Sequence, residues 1–184
     1  KNLLNVGAVR VSDIKGAYID PLIQKGAEVI FVVDACRSNE LKGGPDGQKY
    51  FRNSIIQEKL GEMMLIATGQ NQVAYEDKDY GKGHGLFTYY LIEGLIGKAD
   101  EEGDNDGIVS YSDLKDYVPR KVRQETSKNK AKFPTVQEPE FCCSEFGATS
   151  ISKVDKEELA KLKNKEEMRS ILGSRLTDLA SNSG

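Results

Sequence analysis

The sequence lacks tryptophan altogether, and it has only one histidine and three cysteines among 184 residues. Lys and Arg together number 26 against 29 Asp and Glu, which gives a formal net charge of −3. No basic stripe stands out that would neutralise a phosphate backbone. No apolar run approaches the roughly 20 residues that a membrane span needs, and the first residues lack the apolar core of a signal peptide. We therefore expect no direct nucleic-acid partner and no membrane partner.

The cysteines are few and odd in number. Cys36 stands alone, whereas Cys142 and Cys143 are adjacent and poorly placed to bridge to each other. This pattern favours a reducing, cytoplasmic setting over a secreted domain held by disulfides. Because the chain opens on Lys1 rather than methionine, we expect it to be a processed product or a piece of something longer.

Short apolar runs alternate with segments of helical periodicity. Strands are predicted over about 28–33 and 63–68, and the spacing of Phe87, Leu91 and Leu95 predicts a helix. Ser110 and Asp113 have the spacing of a capping box at the start of a helix that Pro119 should kink or end. This alternation indicates an α/β fold with a mainly parallel sheet. We expect one domain over 1–152 and a charged helical extension or linker over 153–184.

The stretch VIFVVDACRS, residues 29–38, ends an apolar run on an acid, a thiol and an arginine. Buried parallel strands read as unbroken Val and Ile runs, and their C-terminal ends face the crevice where ligands bind. A strand that stops at a functional site is one interpretation of this stretch. A core strand that leads into an ordinary turn is the other.

Four segments occur in the order and spacing of a known family: DACRS at 34–38, ATGQNQVAYE at 67–76, HGLFTYYLIEGL at 84–95 and DGIVSYSDLKDYV at 106–118. Through them, residues 20–150 resemble the caspase-like cysteine peptidases, the group that holds caspases, metacaspases and paracaspases. The resemblance implies a three-layer sandwich, with helices flanking a central, mostly parallel sheet, and cysteine endopeptidase activity without a metal cofactor. Asp34 and Ser38 replace the Gln and Gly of the caspase signature QAC[RQG]G.

The resemblance implies that Cys36 is the nucleophile, although a free cysteine without such context is more often a small buried hydrophobe. The thiolate is the reactive form, so a base or a positive field such as that of Arg37 must assist it. In caspases the histidine base lies about 50 residues upstream, but only 35 residues precede Cys36. A separate N-terminal segment or chain that carries the histidine is the preferred explanation. An inactive domain, or His84 acting as the base instead of capping its helix, remains open.

Asp34 and Glu76 are the acids that the resemblance places in the S1 pocket of paracaspases and metacaspases. Two carboxylates that converge on one pocket suit the planar guanidinium fork. We therefore expect cleavage of proteins or peptides after Arg, with Lys second, and not after Asp. A turn-capping role for Asp34 and a solvated loop role for Glu76 are the simpler alternatives. The rival function is a catalytically inactive caspase-fold module for interaction or regulation.

The stretch EEGDNDGIVSYSD resembles a calcium loop only in part. Aligning Gly107 with the sixth position of an EF-hand puts Glu102, Asp104 and Asp106 at positions one, three and five, and Asp113 at position twelve. A structural turn is favoured over a metal site, with Asp104 and Asp106 as the alternative ligands, and activation by calcium stays open.

The loop that follows the nucleophile contains Lys42, Lys49 and Arg52, which are candidate sites of self-processing. A solvated, flexible loop is the simpler interpretation of its Gly- and Pro-rich composition.

Overall fold

The computed structural model describes residues 10–34, 63–69, 72–80, 83–142 and 146–181. Cys36, Arg37 and the candidate processing residues Lys42, Lys49 and Arg52 lie outside these ranges. Within the ranges the strands are β1 (Ile30–Val33), β2 (Met63–Ile66), β3 (Ile108–Ser110), β4 (Glu140–Phe141) and β5 (Ser150–Lys153). The helices are α1 (Val11–Ile14), α2 (Asp20–Gln24), α3 (Leu86–Glu93), α4 (Ala99–Glu101), α5 (Tyr111–Lys128) and α6 (Lys156–Ser181). π-Helical turns at Lys15–Ile19 and Gly94–Lys98 join α1 to α2 and α3 to α4.

The main sheet has the order β1-β2-β4 in the described part of the chain. β1 and β2 run parallel, with Ile30 opposite Met63, whereas β4 pairs antiparallel with the other edge of β2. A backbone hydrogen bond of 2.9 Å from Ala67 N–H to Val33 C=O continues the parallel pairing beyond β2. β3 and β5 form a second, antiparallel pair. Strands alternating with helices confirm the predicted α/β class. The predicted mainly parallel sheet is not shown by the described strands, because one of their pairings is parallel and two are antiparallel.

Helices cover both faces of β2, because its alternating side chains are apolar on each side. Met63 and Leu65 pack in a core with residues of α3 and α5. Met64 packs on the opposite face against Val11 and Ile19 of the N-terminal helical segment. The sheet therefore lies between two groups of helices at this strand.

β1 is less buried than its sequence predicts. Ile30 is 37% exposed and Val32 is 45% exposed. They lie opposite Met63 and Leu65 on the same face of the sheet, but α3 and α5 pack against the β2 side chains and not against those of β1. Among the described residues β1 has a paired neighbour on one side only. The expectation of a strand buried on both faces is therefore wrong for this part of the chain.

α5 begins where the sequence predicts and continues past its proline. The side chain of Ser110 accepts a hydrogen bond from Asp113 N–H at 3.1 Å, and the Asp113 carboxylate accepts one from Ser110 N–H at 2.8 Å. Pro119 lies inside the 18-residue helix and does not end it. Val118 and Val122 are fully buried on either side of the proline, and this burial offsets the backbone hydrogen bond that a proline cannot donate.

The predicted charged C-terminal helix is present as α6. Leu159 packs in the interior at 9% exposure, whereas Met168 is 57% exposed. Lys98 joins α6 to the π-helical turn after α3 through a 2.6 Å ion pair with Glu166. Within the described residues, no helix combines the length and apolar character needed to cross a membrane.

Candidate active site

Asp34 lies directly after the C-terminal end of β1, where the sequence places a ligand-facing acid. Its side chain crosses to the first turn of α3, where the Thr88 hydroxyl donates a hydrogen bond to carboxylate oxygen Oδ2. The same oxygen lies only 2.5 Å from the position that a Cβ atom would occupy on Gly85. Asp34 is nevertheless exposed. One side of the carboxylate is therefore held by α3 while the residue stays open to solvent.

Glu76 is paired with the same glycine through the backbone. Glu76 and Gly85 form an isolated antiparallel bridge, and Leu86 N–H donates to Tyr75 C=O at 2.7 Å. Residues opposite each other in such a bridge have Cα atoms about 4.5–5.5 Å apart. Gly85 is thus a common neighbour of the two predicted S1 acids, Asp34 and Glu76, both of which are exposed.

A buried glutamine positions the segment that leads to Glu76. Gln137 is fully buried, and its Nε2 donates to Ala67 C=O at 2.8 Å while its Oε1 accepts from Tyr75 N–H at 3.0 Å. Its own N–H donates to the Thr126 hydroxyl on α5 at 3.1 Å. Gln137 therefore ties the end of β2, the Glu76 segment and α5 together.

His84 lies next to the glycine that the two acids share. Its backbone N–H donates to Tyr80 C=O at 2.9 Å, which closes the turn before α3, and the residue is exposed. Cys36, the predicted nucleophile, lies outside the described residues, two positions after Asp34. Both the nucleophile and the base therefore stay predictions.

Cys142 lies at the far edge of the sheet beside Met64. Its N–H donates to Met64 C=O at 3.0 Å, and its sulfur accepts from Met64 N–H at 3.3 Å. Cys142 is therefore packed against the backbone of β2, where its sulfur acts as a hydrogen-bond acceptor.

The acidic turn before β3 differs from the EF-hand alignment. Carboxylate oxygens of Asp100, Asp104 and Asp106 lie within 4.8 Å of one another, so the buried Asp100 joins the two aspartates that the sequence proposed as alternative ligands. Two of these carboxylates already accept backbone hydrogen bonds, Asp100 from Gly107 at 3.2 Å and Asp106 from Ile108 at 2.8 Å. These bonds support the structural turn.

The other two residues of that alignment are engaged elsewhere. Glu102 forms ion pairs with Arg120 at 2.9 Å and with Lys121 at 2.8 Å. Arginine and lysine together lower the pKa of Glu102, although partial burial opposes the shift. The carboxylate of Asp113 belongs to the capping box of α5. Glu102 and Asp113 therefore have partners outside the aspartate cluster, and activation by calcium stays a prediction.

Three residues that position the acids were not predicted. Gly85 and Thr88 lie inside the segment HGLFTYYLIEGL, which drew attention to this region without indicating a role for either residue. No local sequence pattern indicates the role of Gln137, because its side chain bonds to residues 62 and 70 positions away in the sequence.

The candidate site therefore contains two exposed acids that share Gly85 as a neighbour, and one of them, Asp34, directly follows a parallel strand and stands two positions before the expected nucleophile. That arrangement is typical of an enzyme that binds its ligand at the edge of a sheet. A family model of the caspase domain, peptidase family C14, matches residues 3–147. The chain belongs to this caspase-domain family of cysteine peptidases, as the four sequence segments predicted. A comparison with curated proteins finds no match, and a comparison with solved structures finds none either.

Proposed function

We propose that this chain is the nucleophile-bearing part of a cysteine endopeptidase that cleaves proteins or peptides after Arg, with Lys second. The observation that supports the proposal is that Asp34 and Glu76 are both neighbours of Gly85, Asp34 through its carboxylate and Glu76 through a backbone bridge. We infer that the complete domain is the three-layer sandwich, with a mostly parallel central sheet, that is expected of a caspase-like peptidase of the metacaspase or paracaspase kind.

The charge of the acid pair supports a basic P1 side chain. A guanidinium presents donors in a planar fork that two carboxylates can engage, and charge-assisted hydrogen bonds of this kind are about twice as strong as neutral ones. A lysine ammonium would supply the positive charge but not the planar, bidentate hydrogen bonding of a guanidinium. We therefore expect Lys to be the second-best P1 residue. A P1 aspartate would meet two like charges and would be rejected.

The proposed reaction uses the Cys36 thiolate as nucleophile. The thiolate adds to the carbonyl carbon of the P1 residue, and the peptide C–N bond breaks as a histidine gives its proton to the leaving amine. Water then attacks the thioester and gives a proton to the histidine, the C–S bond breaks, and the carboxyl product leaves as the thiolate is regenerated. Covalent catalysis of this kind requires no metal ion for its bond changes.

We propose that the histidine lies on an N-terminal segment or a second chain, with His84 as the less favoured alternative. The exposure of two apolar side chains on β1 supports this proposal. Ile30 and Val32 leave 37% and 45% of their surface exposed, and among the described residues β1 has one paired neighbour. An added strand beside β1 would help to cover these two side chains.

Turnover of matched peptides tests the proposal. Fluorogenic peptides that differ only in P1, as Arg, Lys, citrulline or Asp, are incubated under reducing conditions with the chain and any residues encoded before Lys1. We expect kcat/KM to fall in the order Arg, Lys, citrulline, with no Asp cleavage, and Cys36→Ala to abolish turnover. Cleavage of the Asp peptide at a rate equal to that of the Arg peptide would overturn the basic specificity.

Neutral variants of the two acids test the pocket itself. Asp34→Asn and Glu76→Gln should each lower kcat/KM for the Arg peptide by about 10- to 100-fold, because a hydrogen bond to a charged group contributes about 1.5–3 kcal/mol. Asp79→Asn is the matched control, since Asp79 lies in the same loop but pairs with Lys132. An unchanged kcat/KM in both acid variants would remove them from the pocket.

The same assay addresses the two remaining alternatives. Calcium and a chelator are added in separate arms, because activation by calcium is compatible with the proposed chemistry even though the bond changes do not require it. If no peptide is cut by a preparation that includes the residues before Lys1, the inactive caspase-fold interaction or regulatory module becomes the better explanation.

A further inference from the structure

The first turn of α3 holds the carboxylate of Asp34 in one orientation. The Thr88 hydroxyl donates to Oδ2, and Gly85 leaves room for that oxygen because any side chain there would place its Cβ 2.5 Å from Oδ2 and 3.2 Å from Cγ. One contact is attractive and the other requires the absence of a side chain. The Thr88 hydrogen bond therefore restrains Oδ2, and Gly85 permits this position of the carboxylate because it has no Cβ.

From this geometry we infer that Thr88 and Gly85 are positioning residues that set the preference for Arg over Lys by fixing the plane of the Asp34 carboxylate. The inference rests on the proposed function, because it concerns the same S1 pocket. Thr88 and Gly85 act through Asp34 and do not themselves touch the substrate in this account.

The chemical basis is the difference between the two cationic side chains. A guanidinium gains a bidentate pair only when the two carboxylate oxygens lie in its plane, whereas a lysine ammonium is a compact charge that can follow a rotating carboxylate. A fixed carboxylate therefore favours Arg. Loss of the Thr88 hydroxyl should weaken recognition of Arg more than recognition of Lys.

The test uses Thr88→Val, which removes the hydroxyl and keeps the branched shape, and Thr88→Ser, which keeps the hydroxyl. We expect Thr88→Val to lower kcat/KM about 10-fold for the Arg peptide and about 2- to 3-fold for the Lys peptide, as expected for one charge-assisted hydrogen bond. Thr88→Ser should retain most of the wild-type preference for Arg over Lys, because it keeps the hydroxyl. Thr149→Val is the matched control, since Thr149 bonds through its backbone to Phe146 and Tyr111.

Gly85→Ala tests the steric half of the inference. The added methyl group must displace the Asp34 carboxylate, so the Arg preference should fall at least as far as in Thr88→Val. In an Asp34→Ala background, neither Thr88→Val nor Gly85→Ala should change the Arg-to-Lys ratio further, because the group that they position is gone. As a control for a wider change in the site, the rate at which iodoacetamide alkylates Cys36 should be the same in Thr88→Val as in the wild type.

A binding measurement separates this inference from the proposed peptidase activity. Argininamide and lysinamide are titrated into Cys36→Ala protein, followed by NMR chemical shifts, with and without Thr88→Val. Selective loss of argininamide binding in Thr88→Val supports the inference even if no peptide is cleaved. The inference would be overturned if the wild type, Thr88→Val and Gly85→Ala had equal Arg-to-Lys ratios in both binding and turnover. If the wild type binds argininamide selectively but cleaves no peptide, that result counts against the proposed function and not against the inference.

Discussion

Burial of Glu93 disfavours the charged form of its carboxylate. It is 3% exposed on α3, and its Oε1 has no hydrogen-bond partner in the described part of the protein. Its other carboxylate oxygen accepts from the Tyr117 hydroxyl at 3.5 Å. Burial raises the pKa of Glu93, and the nearby Glu166 adds to the shift, while hydrogen bonds from Tyr89 and Tyr117 and the charge of Lys98 oppose it.

Glu93→Gln should therefore stabilise the protein at neutral pH. A raised folded-state pKa means that the contribution of Glu93 is fully present below its unfolded pKa, about 4.3, and is lost as the pH rises through the folded value. Removing the charge should raise Tm at pH 7 by a few degrees, about 2–4 °C per kcal/mol for a domain of this size. The advantage should shrink near pH 4.

Thermal unfolding across this pH range is the measurement, with Glu167→Gln on the exposed surface of α6 as the control. The prediction would be wrong if the Tm of Glu93→Gln were below that of the wild type at pH 7 and equal to it near pH 4.

At the level of elements, α5 organises the domain. Its N-terminus is fixed by the Ser110–Asp113 capping box, its middle buries Leu114, Tyr117 and Val118 in the core, and Thr126 near its end receives the Gln137 N–H. The helix thus connects the acidic turn with the segment that carries Glu76. Loss of order at its start should affect the stability of the whole core.

Ser110→Ala should lower the free energy of unfolding by about 1 kcal/mol, because helix-capping hydroxyls contribute about 0.5–2 kcal/mol. Chemical denaturation of the two proteins measures the difference. Ser112→Ala is the control in the same helical turn, where the serine is exposed and a change within about 0.5 kcal/mol is expected. Equal losses in both variants would show that the capping box does not stabilise α5.

At the level of the whole molecule, the sequence predicted what local patterns determine. The apolar runs of β1 and β2, the periodicity of α3 and the capping box of α5 are each encoded within a few neighbouring residues. The contact of Thr88 with Asp34 joins residues 54 positions apart, and no local pattern contains that information. The exposure of Ile30 and Val32 was missed for a related reason, because an apolar run does not reveal which parts of its strand the helices reach.

We propose that Asp34 and Glu76 together recognise the charge of a P1 arginine. The most direct test is the ratio of kcat/KM for an Arg peptide to that for its citrulline counterpart, which has nearly the same shape without the charge. The measurement compares the wild type with Asp34→Asn/Glu76→Gln and uses Cys36→Ala as the blank. We expect a ratio above about 100 in the wild type, since two charge-assisted hydrogen bonds contribute at least about 3 kcal/mol, and a ratio near one in the double variant. A high ratio that survives removal of both carboxylates would contradict this proposal.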